Sequence, residues 1–331
     1  SRPLGSKLIW HTGFPQSLMV SRRSLRVGGP LRLLILGCSL EALLLGLTAW
    51  RRSQAASYTS WLVASFGSPR AAASLQRHRL AALAALGGSD AVVTLPRTWS
   101  NPTGAVLTPL SDNLWAAERP FIWNDMDVGG KMAVIRLPDG ALWVHSPANL
   151  DSPLRAALAQ LGPVKHIVSP NFEHVKYAKQ WREAFPDATL WGSPGMISKF
   201  PAIPFDAELS PSGTPPAEWK DAIDMAFFDC ESLPLTEIPF FNEVVFHHRG
   251  TRTLICTDTF WNYPDGSPQL WKWGMDTVYL PFYKAFMVRD RAALARTLDQ
   301  VKSWDPVALL PCHGVYLASD AAATFLAHFQ G

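Results

Sequence analysis

The stretch "VSPNFEHVKYA", residues 168–178, separates an apolar run from a helix-forming one, and its reading decides the fold. Upstream, "KHIV" (165–168) reads as a short buried strand. Downstream, "VKYAKQWREAF" (175–185) spaces its apolar residues for a helix that stops at Pro186-Asp187. A strand that empties into a polar loop holds polar groups on a rigid scaffold, which is where binding and catalytic sites are built. The polar groups here are Ser169, Asn171, Glu173 and His174.

The same grammar extends both ways. "GGKMAVIRLPDGALWVHSP" (129–147) predicts a hairpin turned at Pro138-Asp139-Gly140, and "SPLRAALAQLGPV" (152–164) a helix ended by Gly162-Pro163. "ATLWGSP" (188–194) is another strand, and 199–221 is a Pro- and Ser-rich surface excursion. "MAFFDC" (225–230), "NEVVFHH" (242–248) and "RTLICTD" (252–258) predict three strands, the last two joined at Arg249-Gly250. A Trp-rich loop follows, then a helix over 289–304, a strand "VALLPCHG" (307–314) and a helix over 319–329. Residues 89–120 read as irregular. Strands and helices alternate throughout 91–331, which argues for one α/β domain with helices covering β layers.

Charge divides the chain. Residues 1–88 hold eleven Lys and Arg against Glu41, so the net charge of +3 conceals a net acidic remainder. An acidic body carries no footprint for nucleic acid. Residues 19–50 set four arginines before the apolar run 33–50, as a secretory signal does, and 51–90 are Arg-, Ser- and Ala-rich with no acid before Asp90, as an organelle transit peptide is. Together they predict a two-part presequence directing the protein to a plastid; a membrane anchor through 33–50 is the alternative. Residues 1–18 precede the first Met and are read as upstream sequence. Cys230, Cys256 and Cys312 form no CxxC pair, so neither a disulfide framework nor a zinc ribbon is expected, and Cys230 and Cys312 read as small buried hydrophobes.

Three polar groups sit beside apolar strands: the opening loop, Asp258 after "TLICT", and His313 after "ALLPC". Each has an ordinary alternative. Glu173 suits the first turn of a helix, Asp258 a turn, and His313 a half-buried ring bonded to backbone. His247 and His248 point to opposite faces of a strand, and a structural role is the better reading for both.

The order strand–"SPNFEHV"–helix, then "TLICTDTF", then "PCHG" resembles the metallo-β-lactamase fold superfamily, over about 110–318. It is similar in particular to a plant, algal and bacterial branch of it, a domain of unknown function with a degenerate metal-binding motif. The resemblance implies a four-layer αββα sandwich. It also implies that Ser169 and Asn171 replace two histidines of the loop motif, that Glu173 replaces its Asp, and that His174 keeps its last His. A further histidine, due near 237–240, is missing. One metal site would then survive, with Glu173, His174, Asp258 and His313 as ligands for a single divalent metal: Zn²⁺ first, Fe or Mn²⁺ as alternatives, or none. Asp258 and Asn171 are the candidate catalytic groups, Asn171 binding a substrate oxygen or else fixing its loop by an Asx turn.

Three functions stay open, one of them, implied by the resemblance, a redox or oxygen-handling metalloprotein. Another is a mononuclear metal-dependent hydrolase of a small ester, thioester or phosphoester. The third is a non-catalytic binding or assembly protein of the plastid, meeting a small molecule or a protein partner. The aromatic stretch 260–286 would serve as a lid over the site, a partner surface or a membrane contact. Nothing in the sequence marks a flavin or nicotinamide site.

Overall fold

Alternation along the strands settles the layers. In the computed structural model, which describes residues 93–123 and 125–330, a seven-stranded sheet and a four-stranded sheet face each other. The first has the order β1 (Thr108–Ser111), β2 (Leu114–Arg119), β5 (Gly130–Arg136), β6 (Leu142–His145), β7 (Val164–Ser169), β8 (Thr189–Gly192), β9 (Ala207–Glu208). Its pairing is antiparallel up to β6 and parallel from β6 to β9. The second has the order β10 (Ile223–Phe227), β11 (Val244–His248), β12 (Thr253–Asn262), β13 (Ala308–Gly314), with only its last pair parallel. A small hairpin, β3 (Ile122–Trp123) and β4 (Met126–Asp127), stands apart.

On β5, Ala133 and Ile135 point between the sheets while Met132 and Val134 point outward; on β11, Val244 and Phe246 point in and Val245 out. The inner faces therefore make one apolar layer, centred on Trp143, Trp219 and Phe246. The outer face of the large sheet is covered by α1 (Ser152–Leu161) and α2 (Ala178–Ala184), through Leu154, Leu158 and Trp181. A single turn, α3 (Met196–Lys199), follows β8. Farther along come α4 (Gln269–Trp273), a wide π turn, α5 (Leu280–Phe282) and a second π turn ending at Met287. The outer face of the small sheet is covered by α6 (Arg291–Ser303) and α7 (Ala321–Phe329), through Leu294, Val301, Phe325 and Phe329. The order is helix, sheet, sheet, helix, as expected. Helix α1 begins where Asp151 accepts the Leu154 N–H at 2.8 Å, and the same carboxylate pairs with Arg119 at 3.2 Å.

Three expectations are corrected. Residues 89–120 are not wholly irregular: β1 and β2 form a hairpin whose turn uses Asn113 at positive φ, a conformation Asn tolerates well. The Trp-rich stretch is not a loop, since β12 runs on to Asn262 and 269–287 is helical, with Phe260 and Tyr283 in the core. The strand foreseen at 225–230 stops at Phe227. The presequence and the anchor alternative lie outside the described residues, among which no helix is long and apolar enough to cross a membrane.

Candidate metal centre

Three segments far apart in sequence bring His174, Asp258 and His313 together. His174 stands in the loop after β7, a loop pinned to the small sheet where Phe172 N–H donates to the Phe241 carbonyl and Val244 N–H to that of Pro170. Asp258 lies in β12 where its register with β13 breaks between Cys256 and Trp261. His313 lies near the end of β13, opposite Trp261. Gly314 closes that strand at φ +107°, and a Cβ there would sit 2.0 Å from the Asn262 carbonyl oxygen, so only glycine permits the close approach.

The three side chains meet edge to edge. His174 Nε2 is 3.1 Å from Asp258 Oδ2 and 3.3 Å from His313 Nε2, and His313 Nε2 is 3.4 Å from Asp258 Oδ1. A tetrahedral zinc site with bonds of about 2.05 Å places its ligand atoms roughly 3.3–3.4 Å apart. The far sides of the rings are fixed. His313 Nδ1 donates to the Gly129 carbonyl at 2.6 Å, which leaves Nε2 as an acceptor in the neutral ring. His174 Nδ1 pairs with Ser146 Oγ at 2.7 Å. Two ring nitrogens and a carboxylate directed at one point need a proton or a metal ion between them. The donor set therefore fits a divalent transition metal, and the buried rings and the carboxylate are the residues that would hold it.

Electrostatics agrees. Burial opposes the charged form of His174 and of His313, yet Cys312 and Asp258 outweigh it and raise both rings above the ordinary histidine range, His174 the further. Burial alone would raise Asp258, but His174 and His313 hold its carboxyl well below the usual carboxylate range.

Glu173 stands apart from the other candidates. Among the described residues no hydrogen bond or ion pair joins its carboxylate to the three, and burial and Asp258 raise its pKa. The extra methylene relative to Asp leaves that carboxylate beside the cluster and not in it. Asn171 is wholly buried and fully engaged. Its Oδ1 accepts the N–H groups of Glu173 at 3.0 Å and His174 at 2.9 Å, and its Nδ2 donates to Asp258 Oδ2 at 2.6 Å and Thr257 Oγ1 at 2.8 Å. The Asx-turn alternative is the one found; no donor remains for a substrate oxygen. Ser169 is buried with its Oγ unpartnered. His247 stacks on Trp304 and pairs with Asp224, and His248 pairs with Thr251, so both act structurally.

Two residues of the site escaped the sequence reading. Cys312 is no mere hydrophobe: its Sγ lies 3.7 Å from His174 Nδ1 and 3.5 Å from Ser146 Oγ, and it accepts the Lys131 N–H at 3.4 Å. Burial would push this thiol up, but His174 and His313 bring it down to about 6. His174 lies between Cys312 and His313, its Nδ1 toward the sulfur and its Nε2 toward the His313 Nε2. One ligand atom from each of His174, Cys312 and His313 lies within 4.8 Å of the others. Glu243 is the second. Wholly buried before β11, it accepts the N–H groups of Thr257 at 2.5 Å, Asp258 at 2.7 Å and Thr259 at 2.9 Å, and so shapes the backbone that presents Asp258. An acid beside the apolar "VVF" was the available signal.

Phe121 closes the centre, stacked on His174 with centroids 5.8 Å apart and edge-on to His313 at 6.1 Å; Tyr263 lies 6.5 Å from His313.

Comparison with known proteins identifies the family. The family described as "Domain of unknown function (DUF4336)" matches residues 111–310. The chain belongs to that family. A search of curated protein sequences gives no match. Among solved structures, this DUF4336 protein is similar to the DIM-1 metallo-β-lactamase, at 11% identity and TM-score 0.48 over 67% of this chain and 94% of that one. It is also similar to the metallo-β-lactamase FIM-1 from Pseudomonas aeruginosa in its mono-zinc form (12%, 0.47, 68% and 92%). A mutant flavo di-iron protein from Thermotoga maritima is a third (13%, 0.47, 67% and 60%). The DUF4336 domain here is a four-layer αββα sandwich.

Proposed function

We propose that this domain binds one divalent transition metal, zinc before iron or manganese, and hydrolyses a small ester, thioester or phosphoester. The observation that carries the reading is the set of 3.1–3.4 Å separations among His174 Nε2, His313 Nε2 and the Asp258 carboxylate, with both Nδ1 atoms held from behind. A bound divalent metal lowers the pKa of its water toward ~7 and polarises a reacting oxygen.

The chain supplies the rest. Ser146 and the Gly129 carbonyl orient the two rings. Glu243 and Asn171 hold Asp258, whose carboxylate is the group placed to accept a proton at the centre. Phe121 excludes bulk water. The cavity beside His174 and Cys312 measures about 20 Å³, and a water needs roughly 10–15 Å³. It is therefore too small for a whole substrate, the bulk of which must lie over its mouth.

The reaction is tested with p-nitrophenyl acetate, a thioester and bis-p-nitrophenyl phosphate on metal-loaded full-length protein. Turnover of one class that falls at least about 100-fold in Asp258→Asn supports the proposal. Equal rates in both proteins, or no turnover of any class, overturn the hydrolase reading.

A further inference from the structure

The cavity against His174 and Cys312 is walled on its other side by cationic side chains: Arg119, Lys131 and Lys176, with Phe121 and Tyr177 between. Their commitments differ. Lys131 Nζ is occupied, bonded to the Gly314 carbonyl and ion-paired with Glu118 at 3.0 Å. Arg119 is only 7% exposed. Its Nε donates to Asp151 and its Nη1 to the carbonyls of Val106 and Glu118, which fixes the plane of the guanidinium. Its Nη2 is buried and has no partner. A buried guanidinium N–H left unbonded costs free energy, and the fold retains it beside a cavity. Lys176 is an exposed residue whose Nζ lies over the Phe121 ring at 5.1 Å and the Tyr177 ring at 5.5 Å, and among the described residues no acid pairs with it. Two cationic donors are thus spare at one small cavity, and an oxyanion is the ligand that matches them.

We propose that the cavity bounded by Arg119, Lys176, Ser146 and Cys312 is an anion subsite, which takes one oxygen of a carboxylate or phosphate carried by the substrate. The size fits this division of labour. About 20 Å³ accommodates a single oxygen-sized group, Arg119 Nη2 is the buried donor for it, and Lys176 meets the remaining charge at the mouth. The inference rests on the hydrolase reading for its meaning, since it makes the substrate an anion held beside the metal centre. The binding of the anion itself does not need the metal.

The test is calorimetric titration of the full chain with sodium acetate and with inorganic phosphate, at constant ionic strength set with chloride, before and after removal of metal by chelation. Saturable binding at one site per chain is expected in the metal-free protein. Lys176→Gln and Arg119→Gln should each weaken it by about tenfold, the loss of one hydrogen bond to a charged group. Preference for acetate or for phosphate tells which oxyanion the substrate carries. Because Arg119 also holds Asp151 at the start of α1, Lys176→Gln with an unchanged melting temperature is the deciding variant. No saturable binding of either probe, or binding indifferent to Lys176→Gln, overturns the subsite. Binding that vanishes on chelation and returns with Zn²⁺ puts the anion on the metal, which also overturns the subsite while sparing the metal centre. Anion binding that depends on Lys176 in a protein that takes up no metal supports the subsite and refutes the hydrolase reading.

Discussion

Glu243→Gln exposes how the centre is built, because it changes one atom in a wholly buried side chain. The carboxylate faces five donors. Oε1 takes Thr257 N–H at 2.5 Å and Thr259 Oγ at 3.2 Å; Oε2 takes Asp258 N–H at 2.7 Å, Thr259 N–H at 2.9 Å and Asn171 Nδ2 at 3.3 Å. Glutamine keeps one oxygen and turns an NH₂ toward the donors of the other, leaving one or two backbone N–H groups unpaired at about 1–3 kcal/mol each. Relief of repulsion between two neighbouring carboxylates offsets part of this, since burial and Asp258 both raise the Glu243 pKa. The net loss should be about 2–4 kcal/mol in urea unfolding. Metal affinity should fall about tenfold as the Asp258 backbone loosens, the usual effect of removing a group that orients a ligand. A variant within about 0.5 kcal/mol of wild type, with unchanged metal affinity, would show that Glu243 does not position Asp258.

Other outcomes follow from the same geometry. Ser146→Ala frees His174 Nδ1 and should weaken metal binding by about tenfold without changing its stoichiometry, measured by competition with a chromophoric chelator. Cys312→Ser separates a thiolate ligand from a neighbour: if the sulfur binds, the Co²⁺-loaded protein loses a near-ultraviolet charge-transfer band, and if it lies only behind His174 the spectrum is retained. The metal-free protein should lose stability as pH rises above 6.5. Its raised histidines contribute fully below their unfolded pKa and less as pH climbs through their folded values. The depressed Asp258 contributes above about pH 4 and fails only well below it, so the cluster stabilises most between about 4 and 6.5. Metal loading should flatten the alkaline limb, since binding requires neutral rings; thermal melts across pH with and without Zn²⁺ read both. Phe246→Ala, in the layer between the sheets, should cost about 3–5 kcal/mol and leave metal stoichiometry intact.

The fold was legible because its strands state their faces. Met132–Leu137, Val244–His248 and the other short apolar runs, punctuated by turn residues and alternating with helical spacing, were enough to predict strands in layers with helices outside. The loop "SPNFEHV", Asp258 and His313 could be singled out from their places beside apolar strands, and the structure brings His174, Asp258 and His313 to one point. Glu173 makes no hydrogen bond or ion pair with these three among the described residues, and residue type says nothing of where a longer carboxylate lies. Cys312 was missed because a cysteine in an apolar strand is usually inert, and only the tertiary meeting of β13 with the loop after β7 turns its sulfur toward His174. Phe121, Gly129 and Arg119 belong to a region that read mainly as connection, and their roles arise from contacts up to 184 residues away in sequence.

Elemental analysis of the purified full chain tests the central claim most directly, performed on wild type, His174→Ala and His313→Ala after loading with Zn²⁺ and exhaustive dialysis. The account predicts about one equivalent of metal per chain in wild type and a small fraction of that in either variant. Wild type retaining less than about a tenth of an equivalent, or variants retaining as much as wild type, would show that what His174, Asp258 and His313 need between them is a proton and not a metal ion.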